Sequence, residues 1–335
     1  MGVWLRDREW NGEPDQIVDC AIIGGGPGGL TAAVYLARFM RRCAVIDAGF
    51  GRAASIPRSQ NLPGFPDGIA GVDFLVRLEA QLERYGGLIR RGEVDAIASS
   101  GDAFLISQGL DVIKARSVIL ATGVVNHRPA IPAAMHDAGV ARGLIRYCPI
   151  CDGYEARHSV VAVLGADRHG AEEARFLSGF GADVTLLAYR ALELEADEIA
   201  ALQRDGVSVV QTPVARLFVQ QERIEAVLTD DQRLTFDTLY PALGSSPRSQ
   251  LGISLGAKTS ASGCIVTDQH QRTTVAGVYA VGDVVEGLDQ ISVALGQAAT
   301  AATAVHNQLR DQDLVSRPFE PAPMHPAVGR SKRVG

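Results

Sequence analysis

Ile17-Val-Asp-Cys-Ala-Ile-Ile23 is a short, mostly apolar run rich in Ile and Val, the pattern of a buried strand. It runs directly into Gly24-Gly-Gly-Pro-Gly-Gly29. Leu30 to Met40 then carries Ala, Leu, Tyr and Phe at helical density. Cys43 to Ile46 reads as a second strand ending on Asp47, which completes one βαβ unit. The pattern returns about 140 residues later. Ser159 to Leu164 is a strand, Gly165 to Gly170 a glycine-containing turn, Ala171 to Leu177 a helix and Val184 to Leu187 a second strand. Two dinucleotide-type units predict a doubly wound α/β fold with two Rossmann-like domains.

Two segments look like crossings between those domains. Val118-Ile-Leu-Ala-Thr-Gly123 is an apolar strand ending in a small-residue turn. Leu239-Tyr-Pro-Ala-Leu-Gly-Ser-Ser-Pro247 has the same shape. The expected organisation is a discontinuous first domain, 1–123 and 245–316, with a second domain inserted at 124–244. The tail, 317–335, contains four Pro in Arg317 to Pro326, ends basic and is expected to be extended. The small-residue turns Ala121–Gly123 and Gly244–Pro247 are the expected hinges between domains.

The chain has 335 residues, more than one core usually spans. A net charge of −6 gives no case for nucleic acid. No apolar run reaches the ~18–20 residues that span a bilayer, and the charged start, Met1 to Gln16, does not read as a secretory signal. Five scattered cysteines make no disulfide framework, so a reducing cytoplasm fits.

Candidate chemistry sits at three places. Gly24, Gly26 and Gly29 form G-x-G-x-x-G between strand and helix, with Pro27 at the helix start. The first Gly permits a tight turn, the second lets backbone approach a pyrophosphate, and the third allows close helix–strand packing. Asp47 can accept hydrogen bonds from ribose hydroxyls. This motif alone does not separate FAD from NAD. Gly277-Val-Tyr-Ala-Val-Gly282-Asp283, followed by the small-residue run Ser292 to Ala304, favours a flavin. A strand ending in Gly-Asp can place an acid on a ribityl chain while the next helix N-terminus faces the ring. The third place is Cys148-Pro-Ile-Cys151-Asp152-Gly153, whose spacing permits a small, reactive disulfide ring. Asp152 can move the proton that thiol–disulfide exchange needs. A zinc half-site is the main alternative, but it needs about four ligands and only His158 and His169 lie near. Two inert buried cysteines are a second alternative; Cys20, Cys43 and Cys264 read that way, as packing. No metal is expected.

Gly24–Gly29, Asn61-Leu-Pro-Gly-Phe65, Ala121-Thr122-Gly123, Cys148–Gly153 and Gly282-Asp283 occur in an order and spacing that resembles the low-molecular-weight thioredoxin reductases. The resemblance spans roughly residues 17 to 310. It implies FAD on the first domain, a homodimer, and flavin contacts near Arg52, Asn61, Val94, Thr122, Asp283 and the Gln290-Ile291 pair. It also implies that Cys151 lies against the flavin, that Cys148 attacks the external disulfide and that Asp152 is the acid/base. Asp289, just before Gln290, stands where the family usually has Arg.

The second glycine turn departs from that pattern. Gly165-Ala-Asp-Arg-His-Gly170 has Asp167 where a glycine would let a pyrophosphate approach, and its carboxylate would repel one. Where the family has a His-Arg-Arg segment for the 2′-phosphate of NADPH, this chain has Ala188-Tyr189-Arg190. Arg168 and Arg190 leave some attraction for anions, or are simply solvated. The inserted domain therefore binds NAD(P)H weakly, is a scaffold whose electrons come from a protein such as ferredoxin, or holds another planar ligand such as a second FAD, with Tyr189 stacking on it. His325, in the tail, could fold back over the flavin.

Four functions follow. The leading one is a FAD-dependent disulfide reductase for thioredoxin or a similar small protein. The second is a dithiol oxidase for a small molecule. The third is a flavin redox sensor without turnover, and the fourth, a ferredoxin–NADP reductase, lacks the thiol pair.

Overall fold

A computed structural model describes residues 17–316. Its central element is a five-stranded parallel sheet in the order 278–280, 118–120, 20–23, 43–47, 88–91. Side chains alternate along its strands, so each face acquires its own core. Cys20 and Ile22 point to the face covered by the helices Pro27–Arg38, Gly71–Glu83 and Ile291–Ser316, among Leu30, Leu36, Leu82, Tyr279 and Leu309. Ala21 and Ile23 point to the other face, against the antiparallel strands 96–100, 103–108 and 111–115 through Phe104, Ile106 and Ile113.

The second unit repeats this plan. Strands 207–210, 183–187, 160–164 and 238–241 form a parallel sheet in that order. The helices Arg168–Ser178 and Ala196–Arg204 cover one face, with Val161, Val163 and Tyr240 beneath them. The strands 214–219, 224–228 and 233–236 cover the other, over Ala162, Leu164 and Leu239. The chain is α/β with two Rossmann-like units, as the two glycine turns predict.

Three readings of the elements change. Ile17–Ile23 is not one strand: Ile17–Val18 pairs with Lys114–Ala115, and the chain then turns at Asp19 so that Cys20–Ile23 enters the main sheet. The polar Asp19 marks that turn; its carboxylate meets Arg42 N and Arg116. Leu239–Pro247 is not one crossing strand either. Thr238–Pro241 belongs to the second sheet, and Ser245–Pro247 pairs with Val124–Asn126 in a two-stranded antiparallel ladder. Val118–Leu120 ends before Ala121. Of the two expected hinge turns, Ala121–Gly123 leads into one short ladder and Gly244–Pro247 supplies one of its strands; the ladder is tied by Arg248 N to Gly123 O and by the His127 ring to Leu243 O and Ser246 Oγ. The helices also start one turn earlier than their apolar runs, at Pro27 and Arg168, because their first residues face the glycine turns. The tail expectations, His325 included, lie outside the described residues. No helix among those residues is long and apolar enough to cross a membrane.

Candidate active site

The first glycine turn is held by backbone constraints that only glycine meets. Gly24 has φ +111°, and a Cβ on Gly29 would lie 1.9 Å from Gly24 O. Strand and helix therefore touch at this point, and Gly29 is buried beneath the turn. Asp47 closes the turn from the next strand: its Oδ1 accepts from Gly25 N at 3.0 Å and its Oδ2 pairs with Arg91 at 2.6 Å.

A cavity of about 770 Å³ begins at this turn. It is within the range of small-molecule and cofactor sites. Its wall gathers nearly every residue singled out in the sequence: Gly24, Gly26 and Pro27 with Asp47 at one end; Arg52, Asn61 and Val94; Ala121, Thr122 and Gly123; and Gly282, Asp283, Gln290 and Ile291. Gly29 is the exception, since it packs behind the wall. Cys148, Cys151 and Asp152 line the same cavity.

Cys148 and Cys151 are joined by a disulfide, with Cα atoms 5.3 Å apart. Both sulfurs are thus bonded to each other, which removes the zinc half-site and the inert-thiol readings in this state. Cys148 caps the short helix Pro149–Asp152, its Sγ accepting from Cys151 N at 3.1 Å. Gln290 Nε2 donates toward both sulfurs, at 3.2 Å to Cys148 and 3.4 Å to Cys151. Asn61 Nδ2 donates to Gln290 Oε1 at 2.9 Å and to Ile150 O at 3.4 Å. Asn61 and Gln290 therefore bind the disulfide segment to the first unit. The sequence reading gave both to the flavin alone.

Asp152 follows Cys151 and is turned toward the second sheet. The Tyr240 hydroxyl donates to Asp152 Oδ1 at 2.8 Å, and Arg146 Nε lies 3.9 Å from Oδ2. Burial raises the Asp152 carboxyl above the usual carboxylate range; Arg146 and the Tyr240 hydrogen bond oppose this without cancelling it. Such a group holds a proton more readily than an exposed Asp. Sequence reasoning missed Tyr240 and Arg146. The signal was present in Tyr240, since a Tyr in a fully buried apolar strand needs a partner for its hydroxyl.

Cys20 and Cys43 stand side by side in adjacent strands, and burial pushes the Cys43 thiol up to about 12. They are packing residues, as expected. Cys264 is half-buried.

The second glycine turn is filled by its own side chains. Asp167 caps the helix Arg168–Ser178, its Oδ1 accepting from His169 N at 3.1 Å and Gly170 N at 3.3 Å. Those amides are the ones a phosphate would use at a helix N-terminus. Arg190 reaches back over the turn, 3.9 Å from Asp167 and paired with Glu193. Its Nε donates to Tyr189 Oη at 2.9 Å, and Glu193 N donates to Ala166 O at 2.6 Å. Arg168 is paired with Glu198 at 2.8 Å. Arg168 and Arg190 are both exposed, as the solvated reading expects, and each is paired with a carboxylate.

The chain from residue 18 to 298 matches the family model described as pyridine nucleotide-disulphide oxidoreductase. This chain belongs to that family. Its members' architecture accounts for the two nucleotide-type units, and the family chemistry implies FAD and a nicotinamide nucleotide in general terms. The thioredoxin reductase of Treponema pallidum (strain Nichols) is 31% identical over 298 residues, covering 85% of this chain and 95% of its own. Among solved structures, HlmI superposes with a TM-score of 0.82 at 33% identity, over 89% of this chain and 94% of its own. The thioredoxin reductase of Streptococcus pyogenes MGAS5005 superposes with a TM-score of 0.79 at 28% identity, over 88% of this chain and 99% of its own. The protein is a flavoprotein disulfide oxidoreductase of the thioredoxin reductase-like kind.

Proposed function

We propose that this protein reduces the disulfide of a thioredoxin-like protein, or of a small disulfide compound, with electrons that reach Cys148–Cys151 from FAD. The observation that carries the reading is the single cavity that joins the Gly24–Gly29 turn to the disulfide. The residues fit FAD. The glycine turn offers backbone and a helix N-terminus to a pyrophosphate, and Asp47 stands at the strand end. The disulfide lines the same cavity as that turn. When bound, the flavin supplies a two-electron store next to the S–S bond.

This chain's own groups do the rest. Gln290 and Asn61 fix the pair against the cavity. Once the S–S bond takes up two electrons, Gln290 Nε2 is placed to stabilise the sulfur that becomes a thiolate. Cys151 would be the sulfur that takes electrons from the flavin. Cys148 attacks the external disulfide, forming a mixed disulfide that Cys151 then resolves. Asp152 holds the proton that one thiol needs and is kept oriented by Tyr240 and Arg146. A homodimer, a reducing compartment and rotation about the Val124–Asn126/Ser245–Pro247 ladder belong to the same proposal.

The electron donor is not NADPH in its usual site. Asp167 occupies the helix amides, and Arg190 is spent on Asp167 and Glu193. A low-potential protein of the ferredoxin class is the donor favoured here, with the second unit as a scaffold; a second flavin on that unit is the alternative source. The same closed turn also supports a second function, oxidation of a small dithiol with oxygen as acceptor, because it leaves the dithiol itself as an electron source. Purified protein should be yellow, and Cys151→Ser should abolish disulfide reduction. Retention of that activity in Cys151→Ser overturns the mechanism. Hydrogen peroxide formed on addition of a dithiol selects the oxidase.

A further inference from the structure

Arg52 Nη2 lies 2.8 Å from Asp283 Oδ2 and 3.1 Å from Asp289 Oδ2. Its Nη1 donates to Asn126 Oδ1 at 3.2 Å. One guanidinium therefore serves two carboxylates, and the cluster carries a surplus negative charge. The three charged residues come from separate segments, the turn Arg52–Ser55, the turn Gly282–Val284 and the approach to the helix Ile291–Ser316. All three line the cavity that also holds the disulfide. The cluster is near the reacting sulfurs, since Asp289 is followed directly by Gln290, whose amide meets both of them.

Asp289 is the carboxylate farther from the shared guanidinium, 3.1 Å against 2.8 Å for Asp283, so the surplus charge is assigned to it. Burial raises its carboxyl above the usual range, the charge of Asp283 adds to that rise, and Arg52 opposes it. Two other carboxylates of the cavity have cations of their own: Asp47 is held by Arg91, and Asp152 faces Arg146. Reduction of a ring bound in this cavity adds negative charge to it. A carboxylate with only a shared counter-ion, in a partly dehydrated site, makes that addition less favourable.

We propose that Asp289 is a positioning residue that lowers the reduction potential of the flavin and so drives electrons outward, from flavin to the Cys148–Cys151 bond. This rests on the reading that FAD occupies the cavity. The driven step balances: two electrons and one proton would leave the reduced flavin, and the S–S bond would break to one thiol and one thiolate, the thiolate being the sulfur that Gln290 stabilises. The flavin is recharged by the low-potential protein donor.

The experiment is an anaerobic, dye-linked titration of the purified holoprotein, read at the flavin absorbance. Asp289→Asn removes the surplus charge and should raise the ratio of reduced to oxidised flavin at a given dye potential by about tenfold, which is about 30 mV for a two-electron couple. Asp289→Glu should stay at the wild-type value. Arg52→Gln acts in the opposite direction, lowering the ratio by a similar factor, and gives an independent reading if Asp289→Asn folds poorly. If wild-type protein holds no FAD, the functional reading itself fails. If FAD is held and Asp289→Asn and Arg52→Gln both titrate like wild type, Asp289 serves only to hold Arg52 and the proposal is overturned.

Discussion

Tyr240 donates its hydroxyl proton to Asp152 Oδ1 across 2.8 Å, which couples the core of the second sheet to the residue that follows the disulfide. Tyr240 is fully buried, so its ring position is set by packing and the carboxyl is held by a rigid partner. The Asp152 carboxyl is raised by burial, and the Tyr240 hydrogen bond works against that rise. Disulfide reduction that uses the protonated carboxyl should therefore fall as pH rises through the elevated Asp152 value. Tyr240→Phe removes a stabiliser of the carboxylate and should move this limb to higher pH. Asp152→Asn should remove the limb and slow turnover by about 10²–10⁴-fold, the range for a positioned acid or base. A pH–rate profile of the three proteins is the check.

The same shift has a sign for stability. A carboxyl whose folded value is raised stabilises the fold most fully below its unfolded value, about 3.9, and that contribution is lost as pH rises through the folded value. Asp152→Asn removes the contribution. Its melting temperature should approach or exceed that of wild type at neutral pH, while its turnover is slowed. Thermal melts at acid and neutral pH test this, with a large fall at neutral pH as the contrary outcome.

Gln290 is placed to stabilise the reduced pair. A hydrogen bond to a charged group is worth about 1.5–3 kcal/mol, so Gln290→Ala should disfavour the reduced dithiol relative to flavin by about 10- to 100-fold. Asn61→Ala should act in the same direction and more weakly, because Asn61 touches Gln290 and the Ile150 carbonyl rather than the sulfurs. Equilibration with glutathione buffers, followed by thiol counting, measures both.

The architecture was readable because two βαβ units repeat the same apolar run, glycine turn and helix. The cavity wall was readable for a related reason: glycine turns and strand ends are where backbone meets a ligand, and Gly24–Gly29, Ala121–Gly123 and Gly282-Asp283 are such places. What escaped was side-chain partnership over long sequence distance. Tyr240 and Asp152 are 88 residues apart, and Gln290 and Cys148 are 142 apart. No local period marks either pair. Asp167 was read as an obstacle to phosphate; its role as a helix cap was not legible, because it depends on side-chain rotation toward His169 N and Gly170 N. Arg190 was read as attracting anions or simply solvated; its engagement by Asp167 and Glu193 was not legible because it comes from the loop folding back over the turn.

Opening the second turn should restore what Asp167 blocks. Asp167→Gly frees the amides of His169 and Gly170, and Gly is a tolerable cap, within a few tenths of a kcal/mol of Asp. The variant should fold and bind NADPH at least about tenfold more tightly than wild type, which is about 1.4 kcal/mol. Calorimetric titration with NADPH tests this; equal affinity in the two proteins would place the obstacle elsewhere.

Gly29→Ala probes the first turn. Its Cβ would meet Gly24 O at 1.9 Å, an overlap that the backbone must relieve. A cost of about 1–3 kcal/mol is expected, together with loss of bound flavin, and the absorbance ratio of flavin to protein after purification reports it.

The most direct test of a flavin and a disulfide sharing one cavity is an anaerobic dithionite titration that counts electrons per chain. The account predicts about one FAD per chain and uptake of about four electrons by wild type, two for each couple. Cys151→Ser should take up about two, and excess NADPH should not bleach wild type. Equal electron counts in wild type and Cys151→Ser, or bleaching by stoichiometric NADPH, would contradict it.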